Sequence, residues 1–133
     1  MKVVVTSGYY NPIHKGHIRL MEEARKLGDY LVVIVNNDEQ VKLKGSKPFM
    51  DEDERLEIVK SLRCVNHAVL SIDKDRTVCK TIEMLRPQIF AKGGDSTPEN
   101  VPEQKICDII GCNIIYDVGG NKIQSSSWLK ATL

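Results

Sequence analysis

The chain has 133 residues and a formal net charge of +1, with 19 basic residues against 18 acidic ones. Apolar residues make up 41% and charged residues 28%, the balance expected of one globular domain over residues 1–133. That balance argues against a disordered chain and against a basic nucleic-acid coat. The first apolar stretch, Val3–Val5, is too short for a signal-peptide core, and no later stretch reaches the roughly 18 apolar residues of a membrane span. A cytoplasmic protein with no membrane or nucleic-acid partner is expected. Cys64, Cys79, Cys107 and Cys112 form no C-x-x-C pair and no zinc-finger spacing, so reduced, mostly buried thiols are expected.

In chain order, Val3–Val5 reads as a short strand buried on both faces. An amphipathic helix follows, with Ile18, Leu20, Met21, Ala24 and Leu27 apolar, and Gly28 ends it. Residues 30–35 form a second buried strand ending in Asn36-Asn37-Asp38. Residues 42–48 read as a polar loop. Asp51 caps a helix whose first turn is acidic and whose apolar face carries Leu56, Ile58, Val59 and Leu62. Residues 68–72 form a third strand, 77–85 a helix, 88–91 a fourth strand, 103–110 a helix and 113–118 a fifth strand. Ser125-Ser126-Ser127 opens a last short helix. Strict alternation of buried strands and amphipathic helices predicts an α/β fold, a Rossmann-like three-layer α/β/α arrangement with a five-stranded parallel sheet. Ligands of such folds bind beyond the carboxyl ends of the strands.

The segment after the first strand is Gly8-Tyr9-Tyr10-Asn11-Pro12-Ile13-His14-Lys15-Gly16-His17. Two histidines three apart, where a turn becomes a helix, share a face. With the free N–H groups of that turn they would make an anion site with two tunable donors. Two metal ligands, or two satisfied structural histidines, are the competing readings. The basic loop of Lys42, Lys44 and Lys47 reads as solvated or phosphate-binding, and the serine run as a helix cap or a phosphate site. Trp128 reads as core or as a substrate platform.

Glycine, aromatic, Asp or Asn and then His-x-Gly-His resembles the signature of the cytidylyltransferase-like nucleotidylyltransferases. The resemblance continues through Lys42-Leu43-Lys44-Gly45, Arg55, Arg63-Cys64-Val65-Asn66, Lys92-Gly93-Gly94-Asp95 and Ser125-Ser126-Ser127. It implies attack of an acceptor phosphate oxygen on the α-phosphorus of a nucleoside triphosphate, with pyrophosphate leaving. His14, His17 and Lys44 would then be catalytic. Gly8, Tyr9, Tyr10, Asn11 and Gly16 would bind nucleotide, as would Arg63, Lys92, Gly94, Asp95 and the three serines. Arg55 would be a supporting residue. Mg²⁺ is implied, held by phosphates and water rather than by protein ligands, and so is a homodimer.

The implied donor is ATP and the implied acceptor a sugar phosphate such as heptose 1-phosphate. A CTP-dependent glycerol-3-phosphate cytidylyltransferase, a FAD-synthetase-like adenylyltransferase and a non-catalytic nucleotide-binding module are the alternatives. Three departures stand out. Asn11 occupies a position where the cytidylyltransferase and heptose-phosphate branches commonly carry Asp, and Asn-Pro there is more like the nicotinamide-mononucleotide adenylyltransferases. Asn66 replaces an Asp common in the glycerol branch. Residues 119–122 lack that branch's arginine and offer only Lys122.

Overall fold

The computed structural model describes residues 1–120. Five strands, β1 (Val3–Gly8), β2 (Tyr30–Val35), β3 (His67–Leu70), β4 (Ile89–Ala91) and β5 (Asn113–Ile115), form one sheet in the order β3-β2-β1-β4-β5. Every neighbouring pair is parallel. Five helices connect or follow them: α1 (Lys15–Arg25), α2 (Asp38–Leu43), α3 (Glu52–Lys60), α4 (Cys79–Leu85) and α5 (Gln104–Ile110).

Strand periodicity divides the core into two layers. Val4, Leu31, Val33 and Val35 point to one face, where they meet Met21 and Ala24 of α1 and Val59 of α3. Val5, Val32, Ile34 and Phe90 point to the other, against Ile82 of α4 and Cys107 of α5. Each strand is apolar on both sides because each side is covered, which gives the expected three layers. Cys107 and Cys112 are buried, Cys64 and Cys79 half-buried, and none is in a disulfide. No helix among the described residues is long and apolar enough to cross a membrane.

Several bounds differ from expectation. Helix α2 occupies a stretch read as strand end and loop. Asn37 and Gln40 build it: the Asn37 side chain accepts from the Gln40 N–H and the Gln40 side chain from the Asn37 N–H. Strand β1 runs on to Gly8, pairing with β2 along its whole length. Strand β5 stops at Ile115, because Asp117 takes a left-handed backbone (φ 58°) and the Val118 N–H turns back to the Lys92 carbonyl. Helix α4 starts two residues late, capped at a distance by buried Asp73, which accepts from the N–H groups of Lys80 and Thr81. The expected last helix, with Ser125–Ser127 and Trp128, lies outside the described residues, as does Lys122.

Candidate active site

Strand β1 has β2 on one side and β4 on the other, so the chain reverses its winding between β1 and β4. A crevice opens there beyond the carboxyl ends, as this topology requires. It encloses about 470 Å³ and is lined by the segments after β1, β4 and β5 together with α1 and the end of α2.

The two histidines stand at its centre. His14 is the N-cap of α1, and its Nδ1 accepts from the Gly16 N–H at 3.0 Å. His17, three residues on, returns the bond: its Nδ1 accepts from the His14 N–H at 3.0 Å. The pair forms a capping box made of imidazoles, with rings stacked at 3.7 Å between centroids. The Gly16 and His14 amides are therefore not free for an anion, contrary to the expectation from sequence, and the His17 N–H bonds to the His14 carbonyl. The ring donors left are the Nε2–H groups, because an Nδ1 that accepts must be unprotonated in the neutral ring. Burial lowers the His14 pKa. Burial, then the charges of His14 and Lys44, lower that of His17 to about 4. At neutral pH both rings are uncharged donors in one plane-to-plane stack.

The residues before them form the floor. Tyr10 takes a left-handed backbone (φ 52°) that turns its ring into the core, where it meets His17 edge-on at 5.1 Å. Gly8 makes room for that ring: a Cβ there would lie 2.6 Å from it. Lys44 Nζ lies 4.3 Å above the centre of the Tyr9 ring, which brings the end of α2 to the crevice. Asn11 lines the crevice, and its carboxamide is engaged with the backbone of Lys47 and Phe49.

The opposite end is built from glycines. Gly94 and Asp95 line it, with Gly93, Gly119 and Gly120. Gly119 (φ 87°) sits against the backbone of α1, where a Cβ would lie 3.1 Å from the Leu20 Cα. A Cβ on Gly94 would lie 3.0 Å from an Asp117 carboxylate oxygen. The close packing of α1, the β4 loop and the β5 loop leaves a slot walled mainly by main chain.

Two expected nucleotide contacts are not brought here. Arg63 is exposed in the turn from α3 to β3, which lies at the amino ends of the strands, where the neighbouring Asn66 N–H bonds to the Leu31 carbonyl. A residue between a helix and the strand it feeds must lie at that edge. Lys92 is two residues beyond Phe90, so its side chain shares that residue's face and lies 5.2 Å from the Phe90 ring. Ser125, Ser126 and Ser127 lie outside the described residues. Arg55 is buried and supports the floor. Its Nη1 donates to the carbonyls of Tyr9 and Asn36 (both 2.7 Å), Nε to that of Met50, and Nη2 to the Asp38 carboxylate at 2.7 Å. Arg19 and Ser46 line the crevice and were not singled out in the sequence. The spacing of Arg19, three after Gly16, was the available signal.

The model of the family described as cytidylyltransferase-like matches residues 5–118. The chain is 46% identical over 95 residues to FAD synthase from Ferroglobus placidus, covering 71% of this chain and 60% of that protein. It is 40% identical over 120 residues to bifunctional protein HldE from Syntrophotalea carbinolica, covering 89% of this chain and 22% of that one. The chain thus spans 60% and 22% of these two relatives. A crystal structure of the lipopolysaccharide core biosynthesis protein from Thermoplasma volcanium superposes with a TM-score of 0.75 at 30% identity, over 87% of this chain and 95% of the other. With the parallel sheet, the switch-point crevice and the stacked histidines in place, these matches make the chain a member of the cytidylyltransferase-like family.

Proposed function

We propose that the chain is a nucleotidylyltransferase that moves a nucleoside monophosphate from a nucleoside triphosphate, with ATP favoured, onto a phosphorylated small molecule. The observation that carries this reading is the pair of neutral, backbone-locked imidazoles at the switch point, with Lys44 at the same crevice. An acceptor phosphate oxygen attacks the α-phosphorus in line as the bond to pyrophosphate breaks. The Nε2–H groups of His14 and His17 donate to phosphate oxygens as charge develops, and Lys44 adds a positive charge. No side chain needs to become covalently attached, so the protein works by position and electrostatics. The glycine-walled slot suits a flat base approached by main chain, and the Tyr9–Lys44 end suits the triphosphate.

Asp95 is the one carboxylate among the described lining residues, and no group of three or more metal-binding side chains occurs among the described residues. That donor set fits Mg²⁺ carried on triphosphate oxygens and water, where the ion would offset phosphate charge. A homodimer belongs to this reading, with a second copy closing the acceptor end.

A sugar phosphate is the favoured acceptor, because Lys92-Gly93-Gly94-Asp95 and the matches to HldE relatives point the same way. The 46% identity to a FAD synthase supports a second reading in which the acceptor is a flavin phosphate. Pyrophosphate release from MgATP or MgCTP, assayed with heptose 1-phosphate, glycerol 3-phosphate and flavin mononucleotide, tests both. Release with one acceptor, abolished by His17→Ala, is expected. Tight nucleotide binding with no release for any phosphorylated acceptor would favour a non-catalytic binding module.

A further inference from the structure

We propose that Asn11 is a positioning residue that holds the loop after α2 against the crevice and acts on the reaction through Lys44. The inference rests on the nucleotidyl-transfer reading for its kinetic consequences, although the contact itself is independent of it.

Lys44 and Ser46 both line the crevice, and every residue from Lys42 to Lys47 is exposed. Leu43 and Phe49 are turned largely to solvent, so apolar burial does little to fix this stretch. Hydrogen bonds must do it instead. On the α2 side, the N–H groups of Lys44 and Ser46 bond to the carbonyls of Gln40 and Val41. On the α3 side, Arg55 Nε holds the Met50 carbonyl. Between these anchors, Asn11 Nδ2 donates to the Lys47 carbonyl at 3.0 Å and Asn11 Oδ1 accepts from the Phe49 N–H at 2.8 Å.

The clamp needs an amide. Only Asn and Gln present a donor and an acceptor side by side, and an ionised Asp is acceptor-only. An Asp here would keep the Phe49 bond and set a carboxylate against the Lys47 carbonyl. The clamp is also rooted in the floor that faces Lys44. Asn11 follows buried Tyr10, and the carbonyl of Tyr9, whose ring lies under Lys44 Nζ, is held by Arg55 at 2.7 Å. One rigid turn therefore fixes both the ring under Lys44 and the loop that carries it.

The test is a double-mutant cycle of the wild-type chain, Asn11→Asp, Lys44→Ala and the double variant. MgATP dissociation constants, and kcat and KM for pyrophosphate release, are measured for each. Asn11→Asp is expected to weaken MgATP or slow release about five- to tenfold. The double variant is expected to match Lys44→Ala, because the clamp has nothing left to position. Trypsin cleavage after Lys42 and Lys44 supplies a readout that needs no activity. Cleavage is expected to quicken several-fold in Asn11→Asp and further in Asn11→Ala, with melting temperatures near that of the wild type. Independent, multiplying losses in the cycle, or cleavage rates unchanged in both Asn11 variants, would overturn the proposal. A wild-type chain that neither binds MgATP nor releases pyrophosphate would sink the transferase reading, while the cleavage series still decides the clamp.

Discussion

The Tyr10 hydroxyl is buried and has no hydrogen-bond partner among the described residues, although its ring packs against Gly8 and His17. A buried, unpartnered hydroxyl costs about 1–3 kcal/mol. Tyr10→Phe keeps the ring and is expected to raise stability by about 1 kcal/mol in urea denaturation. A clear loss would mean that the hydroxyl has a partner after all. His17 makes a second prediction. Its pKa is about 4 in the folded chain and 6.5 as a free side chain, so between those values the unfolded state binds more protons. Stability therefore rises with pH through that window and is lost as pH falls from 6.5 toward 4. His17→Gln is expected to flatten this slope relative to the wild type, and parallel slopes would contradict the neutral-imidazole assignment. At this scale, His14 and His17 were legible because spacing and position after a strand bring them to one place, whereas Lys44, in a loop that reads as solvated or phosphate-binding, was marked by the resemblance. Arg63 was not, because a likeness of local sequence says nothing about which edge of the sheet a turn occupies. The unpartnered hydroxyl left no mark in the sequence, since a Tyr and a Phe satisfy the same apolar pattern.

Arg55 joins the end of β1, the end of β2, the start of α2 and the approach to α3 through four hydrogen bonds. Arg55→Met fills much of the same volume but leaves three carbonyls and the Asp38 carboxylate without their donor. It is expected to cost about 3–5 kcal/mol in chemical denaturation. Arg55→Lys should recover only part of this, since an ammonium cannot reproduce a planar fork. A loss below about 1 kcal/mol would refute the bracing role. Gly111 and Gly119 offer a controlled pair, with φ 76° and 87°. Alanine at Gly111 meets open space and should cost only the backbone strain, about 1 kcal/mol. At Gly119 it must also displace the α1 backbone, so a larger loss is expected, together with weaker nucleotide binding. Equal losses at both positions would contradict the close packing of α1 on the β5 loop. Helix α2 shows where elements become hard to read. Its six residues carry little apolar periodicity, and the signal was the Asn37…Gln40 capping box. Strand β5 fails for the opposite reason: the apolar pattern runs on to Val118, but Asp117 turns the chain first.

Over the whole molecule, the alternation of strands and helices was enough to give a parallel sheet covered on both faces. It also gave the rule that function lies beyond the carboxyl ends. The strand order, and with it the switch point between β1 and β4, was not legible, because local patterns do not say which strands become neighbours. Nor were the main-chain walls of the slot, which depend on how closely α1 and two loops approach. The central claim, that this crevice binds a nucleoside triphosphate for transfer, is tested most directly by thermal unfolding with Mg²⁺ and each of ATP, CTP, GTP and UTP. A nucleotide at 100 times its dissociation constant adds about 2.7 kcal/mol, several degrees for a domain of this size. A shift with ATP, diminished in Lys44→Ala, is the expected result. A shift with CTP alone would reverse the choice of donor, and no shift with any nucleotide, with or without a phosphorylated acceptor, would contradict the claim.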